Sequence, residues 1–349
     1  MALTRRGKIV IALLTTALVL GTAVAVLALT GIAKHIPGIK NIAGAHDESK
    51  PARCLSGKRP SSGKVPDRPA LAIKIENLPE ARPQAGLDKA DIVYEEPVEG
   101  GITRFIALFQ CEDAKRVGPV RSARLTDPPI LLQFGKDTLF GFAGAAGPVR
   151  KAVDKSGLHD LGYDRAPASS AYARDPNRSA PHNLYTSTSA LYKAAHVKDS
   201  RPRQVFHYGS SIFRRAKDVS VVHLDFSGSA DVFWHWSAKH KDWLRFHGTV
   251  PHTLEGGVQV SAANVVVMLV SLRDTGIVDA AGNPSPEVQT VGDGRAFVFR
   301  DGKMIVGRWQ RTSPHSVVKF TDQKNHPIQM EHGRTWVELF PKDKQVETS

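Results

Sequence analysis

The longest run of apolar residues lies at the amino-terminal end of the chain. Residues 9–33 contain no charged side chain, and three basic residues stand within the eight residues before them. A run of this length can cross the roughly 30 Å hydrocarbon core of a bilayer as a helix. Basic residues ahead of such a run favour a cytoplasmic amino terminus. The pattern predicts a cytoplasmic tail at 1–8, a transmembrane anchor or export signal at 9–33, and an extracytoplasmic location for everything after Lys34.

Patterns typical of mixed strands and helices follow at 69–200. Residues 70–77 alternate between apolar and polar side chains, as a strand with one buried face does. A strand at 137–142 runs into a glycine-rich loop, and Pro148 after this loop is a favoured first residue of a helix. Backbone N–H groups at such a helix start can hold an anion, although the loop also suits a plain tight turn. Two further strands are predicted at 91–94 and 103–110.

Residues 205–345 show almost only strand patterns. Asp301 and Gly302 stand between two alternating stretches, and this dipeptide is a strong β-hairpin signal. The predicted fold class is therefore α+β: an N-terminal mixed α/β domain followed by a mostly β C-terminal domain, on a single N-terminal transmembrane helix. The strands expected in the second region are 221–226, 231–236, 242–246, 264–272, 296–300, 304–309 and 335–340.

Residues 34–68 carry no apolar periodicity, and they contain eight basic residues against three acidic ones. A polar segment of this kind is typically extended. We therefore predict a flexible basic stalk. It is either a solvated spacer or a contact for phosphate-rich wall polymer or anionic lipid head groups.

The charge of the chain is concentrated in a few segments. Of the formal net charge of +13, residues 1–68 hold +8 and residues 193–217 hold +6, which leaves −1 for the rest. A basic surface for nucleic acid needs cations clustered on a folded domain. The near-neutral remainder excludes a nucleic-acid partner and favours envelope polyanions.

Several runs of residues are similar to a known family. RPALAIKIEN, ARPQAGLDKADIVYEEPVEGGITRFIALFQ, VGPVRSAR and APHNLYTST resemble, in this order, the N-terminal domain of the YerB-like family of exported bacterial lipoproteins of unknown function. A weaker resemblance to the family's C-terminal domain runs through NVVVM, GDGRAFVFRDGKMIVGRW and HGRTWVELFP. The resemblance implies an exported protein but brings no established reaction. Many relatives carry a lipid-bearing cysteine at the end of the signal, whereas Cys54 lies well beyond the apolar run.

The family-like runs are rich in charged side chains. Glu96 and Glu99 are candidate catalytic carboxylates, because glycoside hydrolysis uses a pair of acids a few ångströms apart. The same residues suit structural ion pairs with Arg104, Arg121 and Arg124. These arginines are candidate ligand-binding residues, since guanidinium groups bind phosphate and carboxylate in a bidentate manner. Arg121 and Arg124 would share a face if a helix began at Pro119.

A second polar group follows in APHNLYTST. His182 is a candidate general base, because its ordinary pKa lies near neutral pH. Asn183 and Tyr185 are candidate ligand-binding residues, and a turn or capping role suits this group equally well. The sharpest hypothesis places Glu96, the arginines, His182 and Asn183 in one cleft.

Two other sets of residues bear on the chemistry. Cys54 and Cys111 both lie on the predicted extracytoplasmic side, where a disulfide between them is plausible and two buried thiols remain the alternative. Four histidines lack a recognised metal-ligand spacing, so no metal site is expected: His235, His240, His247 and His252. Four aromatic residues form either a platform that stacks on carbohydrate or a part of the hydrophobic core: Trp234, Trp236, Trp243 and Phe246.

These features predict a single-pass, extracytoplasmic protein of the cell membrane. We expect it to bind an anionic or carbohydrate ligand of the envelope, such as a cell-wall polymer, or a partner protein. A hydrolase or transferase acting on envelope glycan is one alternative, and a scaffold without a small ligand is another. The sequence therefore leaves open whether the protein is an enzyme, and no cofactor is expected.

Overall fold

In the part of the chain that the computed structural model describes, strands occur in both predicted regions, and all the α-helices lie before residue 200. That part comprises residues 53–60, 62–197, 200–210, 216–279 and 281–349, which all fall in one folded unit. Up to residue 200 the strands are β1 (Leu71–Glu76), β2 (Ile92–Pro97), β3 (Thr103–Phe109), β4 (Leu139–Gly141), β5 (His159–Asp160), β6 (Tyr172–Arg174) and β7 (Leu184–Thr186), and the α-helices are α1 (Asp127–Leu131), α2 (Gly147–Ser156) and α3 (Thr188–Ala195). After residue 200 the strands are β8 (His207–Tyr208), β9 (Lys217–Asp218), β10 (Val221–Ser227), β11 (Ala230–Ser237), β12 (Asp242–His247), β13 (Val250–Pro251), β14 (Ser261–Ala262), β15 (Asn264–Val270), β16 (Leu272–Val278), β17 (Pro284–Val288), β18 (Gly292–Arg300), β19 (Lys303–Arg311), β20 (Lys319–Asp322), β21 (Gln329–Met330), β22 (Thr335–Pro341) and β23 (Glu347–Thr348).

Local sequence determines where the two longer helices begin and end. Pro148 lies in the first turn of α2, and Gly157 ends this helix with a φ of 79°, the left-handed conformation that favours glycine. The hydroxyl of Ser187 accepts a hydrogen bond from the backbone N–H of Ala190 and so caps α3. The glycine-rich loop predicted before Pro148 therefore leads into a helix.

A long mixed sheet joins the two halves of the chain. Its strands lie in the order β20, β19, β18, β15, β22, β2, β3, β1, β4, β5. Strand β22 pairs in parallel with β15 on one side and with β2 on the other. Because β2 comes from the mixed α/β region and β22 from the mostly β region, both regions share this sheet.

The direction of the strands brings several loops to one edge of this sheet. Strands β1 and β2 are both antiparallel to β3, and β1 is parallel to β4. Strands β2, β15 and β22 run in the same direction. The carboxyl ends of β1, β2, β4, β15 and β22 therefore lie along one edge of the sheet, which we call the carboxyl edge. In open sheets of this kind, ligands bind beyond the carboxyl ends of parallel strands.

A separate hydrophobic core covers each face of the long sheet. On one face a second sheet, in the order β13, β12, β11, β10, β23, packs on it. The rings of Trp234 and Trp336 meet there at a centroid distance of 5.3 Å, and we call this the tryptophan face. On the other face, the helix face, α1 and α2 contribute to the core. Trp234 and Trp243 are both fully buried, so they are core residues rather than a platform for carbohydrate.

The predicted fold class needs correction at its transmembrane helix. Within the described ranges, no helix is long and apolar enough to span a bilayer. The longest described α-helix, α2, has 10 residues, which corresponds to about 15 Å, half of a hydrocarbon core. The segment for which the span was predicted, 9–33, lies outside the described residues, as does 34–52.

The last part of the predicted stalk packs on the fold. Cys54 forms a disulfide with Cys111 just beyond β3, and the Cα atoms of the two residues are 5.7 Å apart. The next residue, Leu55, is fully buried, and its backbone N–H donates to the side chain of Gln110 over 3.0 Å. Residues 53–60 therefore belong to the folded unit.

Candidate functional site

Strand register brings four charged side chains to the helix face near the carboxyl edge. On β3, Arg104 lies directly between Glu76 of β1 and Glu96 of β2. Lys74 lies two residues before Glu76 on β1 and therefore points to the same face. All four residues are buried. A row of charges in this position is unusual, because charged side chains are seldom fully buried unless they are paired.

The segment with the other two arginines is extended and runs beside β1. The backbone N–H of Glu76 donates to the carbonyl of Pro119 over 2.9 Å, and that of Arg121 donates to the carbonyl of Lys74 over 3.0 Å. The helix proposed to begin at Pro119 is absent from this described segment. Arg121 and Arg124 therefore join the cluster through strand-like pairing, not through one face of a helix.

Ion pairs arrange these side chains in three neighbouring groups. Lys74 bridges Glu96 and Asp127, and its Nζ lies 2.7 Å from the Oδ1 atom of Asp127. Arg124 pairs with Glu99, whose carboxylate lies 3.9 Å from Arg104. The carboxylate of Glu76 forms ion pairs with Arg121, whose Nε lies 3.0 Å away, and with His182, whose Nδ1 lies 2.9 Å away. We call this set the arginine cluster: Lys74, Glu76, Glu96, Glu99, Arg104, Arg121, Arg124, Asp127 and His182.

Arg104 is incompletely hydrogen-bonded within the arginine cluster. Its Nε atom has no hydrogen-bond partner among the described residues, and its Nη1 reaches only the carbonyl of Ser122, over 3.4 Å. Burial, together with the positive charge of Arg124, lowers the pKa of Arg104 to about 10. Guanidinium donors without acceptors in a protein interior cost free energy, and an added anion would relieve that cost.

The two candidate catalytic carboxylates are tied to cations. Glu96 is fully buried against Lys74, and burial, aided by the nearby Asp127, raises its pKa to about 7. Burial also acts to raise the pKa of Glu99, but the hydrogen bond and charge of Arg124 outweigh it and lower that pKa. Neither carboxylate is presented to solvent as a free acid or base. A catalytic role for Glu96, Glu99 and His182 stays a prediction.

Asn183 and Tyr185 lie in a different network from the arginine cluster. The amide oxygen of Asn183 accepts a hydrogen bond from Arg174 over 2.7 Å. The hydroxyl of Tyr185 accepts one from Arg178 over 2.7 Å, and the guanidinium of Arg116 stacks on its ring at 3.4 Å. These contacts order the loop that carries His182. The structure therefore places His182 in the arginine cluster and places Asn183 and Tyr185 outside it.

Sequence reasoning missed four contributors to the site. Lys74 and Glu76 had a detectable signal, since they occupy the face of β1 opposite to Leu71, Ile73 and Ile75. Asp127 offered no such signal. The hairpin β16–β17 was also missed. It contributes the buried Ser285, whose hydroxyl donates a hydrogen bond to the carboxylate of Glu99.

A second buried charge network lies on the tryptophan face. The carboxylate of Glu95 binds Arg245 with both oxygens at 2.8 Å, and both side chains are fully buried. Trp336 donates its indole N–H to the same carboxylate over 3.2 Å. The adjacent Glu338 has a strongly raised pKa, first because of burial and then because of the Glu95 charge. Since Arg245 lies on β12 and Glu95 on β2, this bridge fastens the second sheet to the long one.

Two histidines beside Arg245 are held neutral. His252 faces the Nη1 of Arg245 with Nδ1 at 3.0 Å and the side-chain oxygen of Gln84 with Nε2 at 2.9 Å. Nδ1 must accept from arginine, so the single ring proton lies on Nε2. Burial and then the charge of Arg245 lower the pKa of both His247 and His252. The part of the chain that the structure describes shows no cluster of three or more potential metal ligands.

These histidines predict acid destabilisation. An unfolded histidine has a pKa of about 6.5, so below this pH the unfolded chain binds protons that the folded chain excludes. The stabilising free energy is present above about pH 6.5 and is lost as the pH falls, by up to about 1.4 kcal/mol per pH unit for each histidine. Between pH 7 and pH 5, we expect His247→Gln to reduce by about one the number of protons taken up on unfolding, and so to flatten the plot of unfolding free energy against pH. Urea unfolding at several pH values measures this slope, and an unchanged slope would contradict the explanation. His240→Gln, at an exposed position, is the control.

Comparison with known proteins assigns the chain to a family. The profile described as "Protein of unknown function (DUF3048) N-terminal domain" matches residues 55–201, and that of the corresponding C-terminal domain matches residues 222–337. The protein named "Putative lipoprotein YerB" of Bacillus subtilis (strain 168) is 30% identical over 289 residues, which cover 80% of this chain and 83% of that protein. The chain belongs to the DUF3048 family. The resemblance to YerB-like proteins is thereby confirmed.

A solved structure agrees with the fold. The crystal structure of the YerB protein from Bacillus subtilis matches with a TM-score of 0.72 and 26% identity, covering 84% of this chain and 98% of that one. The N-terminal DUF3048 match contains every charged residue of the arginine cluster, whereas the C-terminal match contains Arg245 and the hairpin β16–β17. Each of the two buried networks therefore contains residues from both matched domains.

Proposed function

We propose that this protein is an exported, membrane-associated component of the cell envelope that binds a phosphate- or carboxylate-bearing ligand at the arginine cluster. Its relative in Bacillus subtilis carries the name "Putative lipoprotein YerB", which supports export and membrane association. The disulfide between Cys54 and Cys111 is typical of proteins in an oxidising compartment. Because this bond uses both cysteines of the chain, neither thiol is free to carry a lipid.

The observation that carries the proposal is the incomplete pairing of the arginines. The Nε atoms of Arg104 and Arg124 have no hydrogen-bond partner within the described residues. Arg121 and His182, at the outer end of the cluster, have side chains that are 22% and 20% exposed. An anion that arrives at this end meets a guanidinium already oriented by Glu76. Arginine is well suited to this task because its planar donors bind oxyanions in a bidentate manner.

The charge balance of the cluster also favours an anionic ligand. Its four cationic side chains face four carboxylates, so full ionisation would leave it neutral apart from His182. Burial raises the pKa of Glu96 to about 7, which removes part of one negative charge near neutral pH. The cluster then carries an excess of positive charge. The hydrolase or transferase alternative gains no such support, because Glu96 and Glu99 are engaged by Lys74 and Arg124.

Binding of simple anions by the purified full-length protein tests the proposal. We expect glycerol phosphate and inorganic phosphate to bind in calorimetric titrations at low salt, and Arg121→Gln to weaken this binding about tenfold or more, which corresponds to ~1.4 kcal/mol. Arg121→Lys keeps the charge but not the planar donors, so its affinity should fall between that of the wild type and that of Arg121→Gln.

Arg150→Gln is the matched control for this experiment. Arg150 is a similarly half-buried arginine on α2 that pairs with Asp160 and Asp164, outside the arginine cluster. Its replacement should leave anion affinity unchanged. Absence of binding by the wild type, or equal losses in Arg121→Gln and Arg150→Gln, would refute the proposal and favour a scaffold without a small ligand.

A further inference from the structure

The outer end of the arginine cluster presents two side chains on one buried carboxylate. The Oε1 atom of Glu76 lies 3.0 Å from the Nε of Arg121, and its Oε2 atom lies 2.9 Å from the Nδ1 of His182. Glu76 is fully buried, whereas the side chains of Arg121 and His182 are both partly exposed. Because one carboxylate holds both groups, the guanidinium and the imidazole are neighbours, and both reach solvent.

Each of these two side chains has nitrogen atoms that no other described residue uses. The ion pair of Arg121 with Glu76 runs through Nε, and the Nη1 and Nη2 atoms of this arginine make no hydrogen bond within the described ranges. The ring of His182 contacts Glu76 through Nδ1, and its Nε2 has no partner in the same part of the chain. Three nitrogen atoms therefore remain available to a ligand, two at the end of the guanidinium and one on the ring.

The contact with Glu76 determines what the free ring nitrogen can do. A carboxylate accepts hydrogen bonds, so the Nδ1 of His182 carries a proton and donates it to Glu76. Nε2 then has a lone pair in the neutral ring and carries a proton only in the imidazolium. Histidine changes its charge between about pH 8 and pH 5. Nε2 therefore becomes a hydrogen-bond donor when the ring takes up a proton in this range.

The charges around His182 depend on whether an anion is bound. Among the described residues, Glu76 of β1 is the charged group in contact with the ring. Arg121 and Arg104, which lies opposite Glu76 in the strand register, bring two positive charges close to it. Charged side chains of its own loop bind partners outside the arginine cluster: Arg174, Asp175 and Arg178. The two arginines disfavour a further positive charge on the ring, and a bound anion offsets this repulsion.

We propose that the outer end of the arginine cluster binds a terminal phosphate group, that is, a phosphate monoester, and that His182 selects it. This inference rests on the anion binding proposed above. A phosphate monoester has three free oxygens. Two of them accept from the planar end of Arg121, since arginine binds phosphate in a bidentate manner, and the third accepts from the protonated Nε2 of His182. A phosphate diester or a carboxylate has two free oxygens and leaves Nε2 without an acceptor.

Calorimetric titrations of the purified full-length protein with methyl phosphate and dimethyl phosphate test the inference. The second methyl group removes the third free oxygen. We expect His182→Ala to weaken the binding of methyl phosphate about tenfold, because a charge-assisted hydrogen bond is lost, and to leave that of dimethyl phosphate within about twofold. His326→Ala is the matched control, since the Nδ1 of His326 contacts Asp322 over 3.2 Å outside the arginine cluster. It should change neither affinity.

Proton uptake on binding provides an independent readout. At pH 8 methyl phosphate is a dianion, because the second pKa of a phosphate monoester is about 6. The complex must then take a proton from the buffer for Nε2 of His182. Titrations in two buffers with different ionisation enthalpies should show that the wild type takes up about one proton with methyl phosphate, and that His182→Ala takes up none.

These experiments separate failure of this inference from failure of the proposed function. If Arg121→Gln weakens the binding of both probes while His182→Ala weakens neither, or weakens both by the same factor, the anion site stands and selection by His182 is ruled out. Binding of methyl phosphate to the wild type without proton uptake also rules it out. If the wild type binds neither probe, both the proposed function and this inference fail.

Discussion

Replacing Arg245 by methionine should lower the free energy of unfolding by about 3 to 5 kcal/mol. The change leaves the carboxylate of Glu95 buried and without its cation, although Trp336 still donates to it over 3.2 Å. Methionine fills a similar volume, so loss of packing is a smaller part of the effect. The neighbouring Glu338 has a strongly raised pKa because of burial and the Glu95 charge, so it offers Glu95 no compensating cation. Urea unfolding followed by tryptophan fluorescence measures the loss.

Two variants separate the electrostatic cause from general damage. Arg308→Met removes a partner of Asp293 in a pair whose side chains are 61% and 56% exposed, and pairs of this kind contribute about 0 to 1 kcal/mol. Adding Glu95→Gln to Arg245→Met removes the stranded charge and should restore part of the lost stability. A double variant that is less stable than Arg245→Met alone would contradict the explanation.

Removing the disulfide should have an effect of similar size. The bond between Cys54 and Cys111 closes a loop with a sequence separation of 57, for which the chain-entropy relation gives about 4 kcal/mol. Cys54→Ala/Cys111→Ala should therefore unfold at a clearly lower urea concentration than the wild type. The loss also loosens residues 53–60, since Leu55 is held next to the bond. Hydrogen exchange at these amides provides a local readout.

Reduction of the wild type is the natural control for this prediction. In excess dithiothreitol the wild type should unfold at the same urea concentration as the double variant, and the variant should not respond to the reductant. If reduction left the wild type unchanged while the variant was destabilised, loss of packing at the two cysteines and not the cross-link would explain the result.

Much of the strand content could be predicted because alternation is a local property. The patterns at 70–77, 103–110 and 335–340 correspond to β1, β3 and β22. The Asp301-Gly302 signal lies at the turn between β18 and β19. Predictions were less successful where the context is not local. The segment after Pro119 pairs with β1 instead of forming a helix, because β1 offers it hydrogen-bond partners.

The candidate site was partly predictable for the same reason. The positions of Arg104, Arg121, Arg124 and His182 in polar runs singled them out, and the structure places all four in one cluster. The runs did not indicate that Lys74 and Asp127 would neutralise Glu96. A carboxylate that looks catalytic in a sequence becomes a structural ion when a distant cation is packed against it.

By itself, the sequence indicated many of the longer strands, which side chain lies on which face of these strands, and where the charge of the chain is concentrated. These properties depend on neighbours a few residues apart. The tertiary structure alone decided that Glu95 meets Arg245, 150 residues away, that the carboxyl ends of five strands share an edge, and that the arginines lack a full set of acceptors. Such outcomes depend on strand order and register, and these follow from the packing of the whole fold.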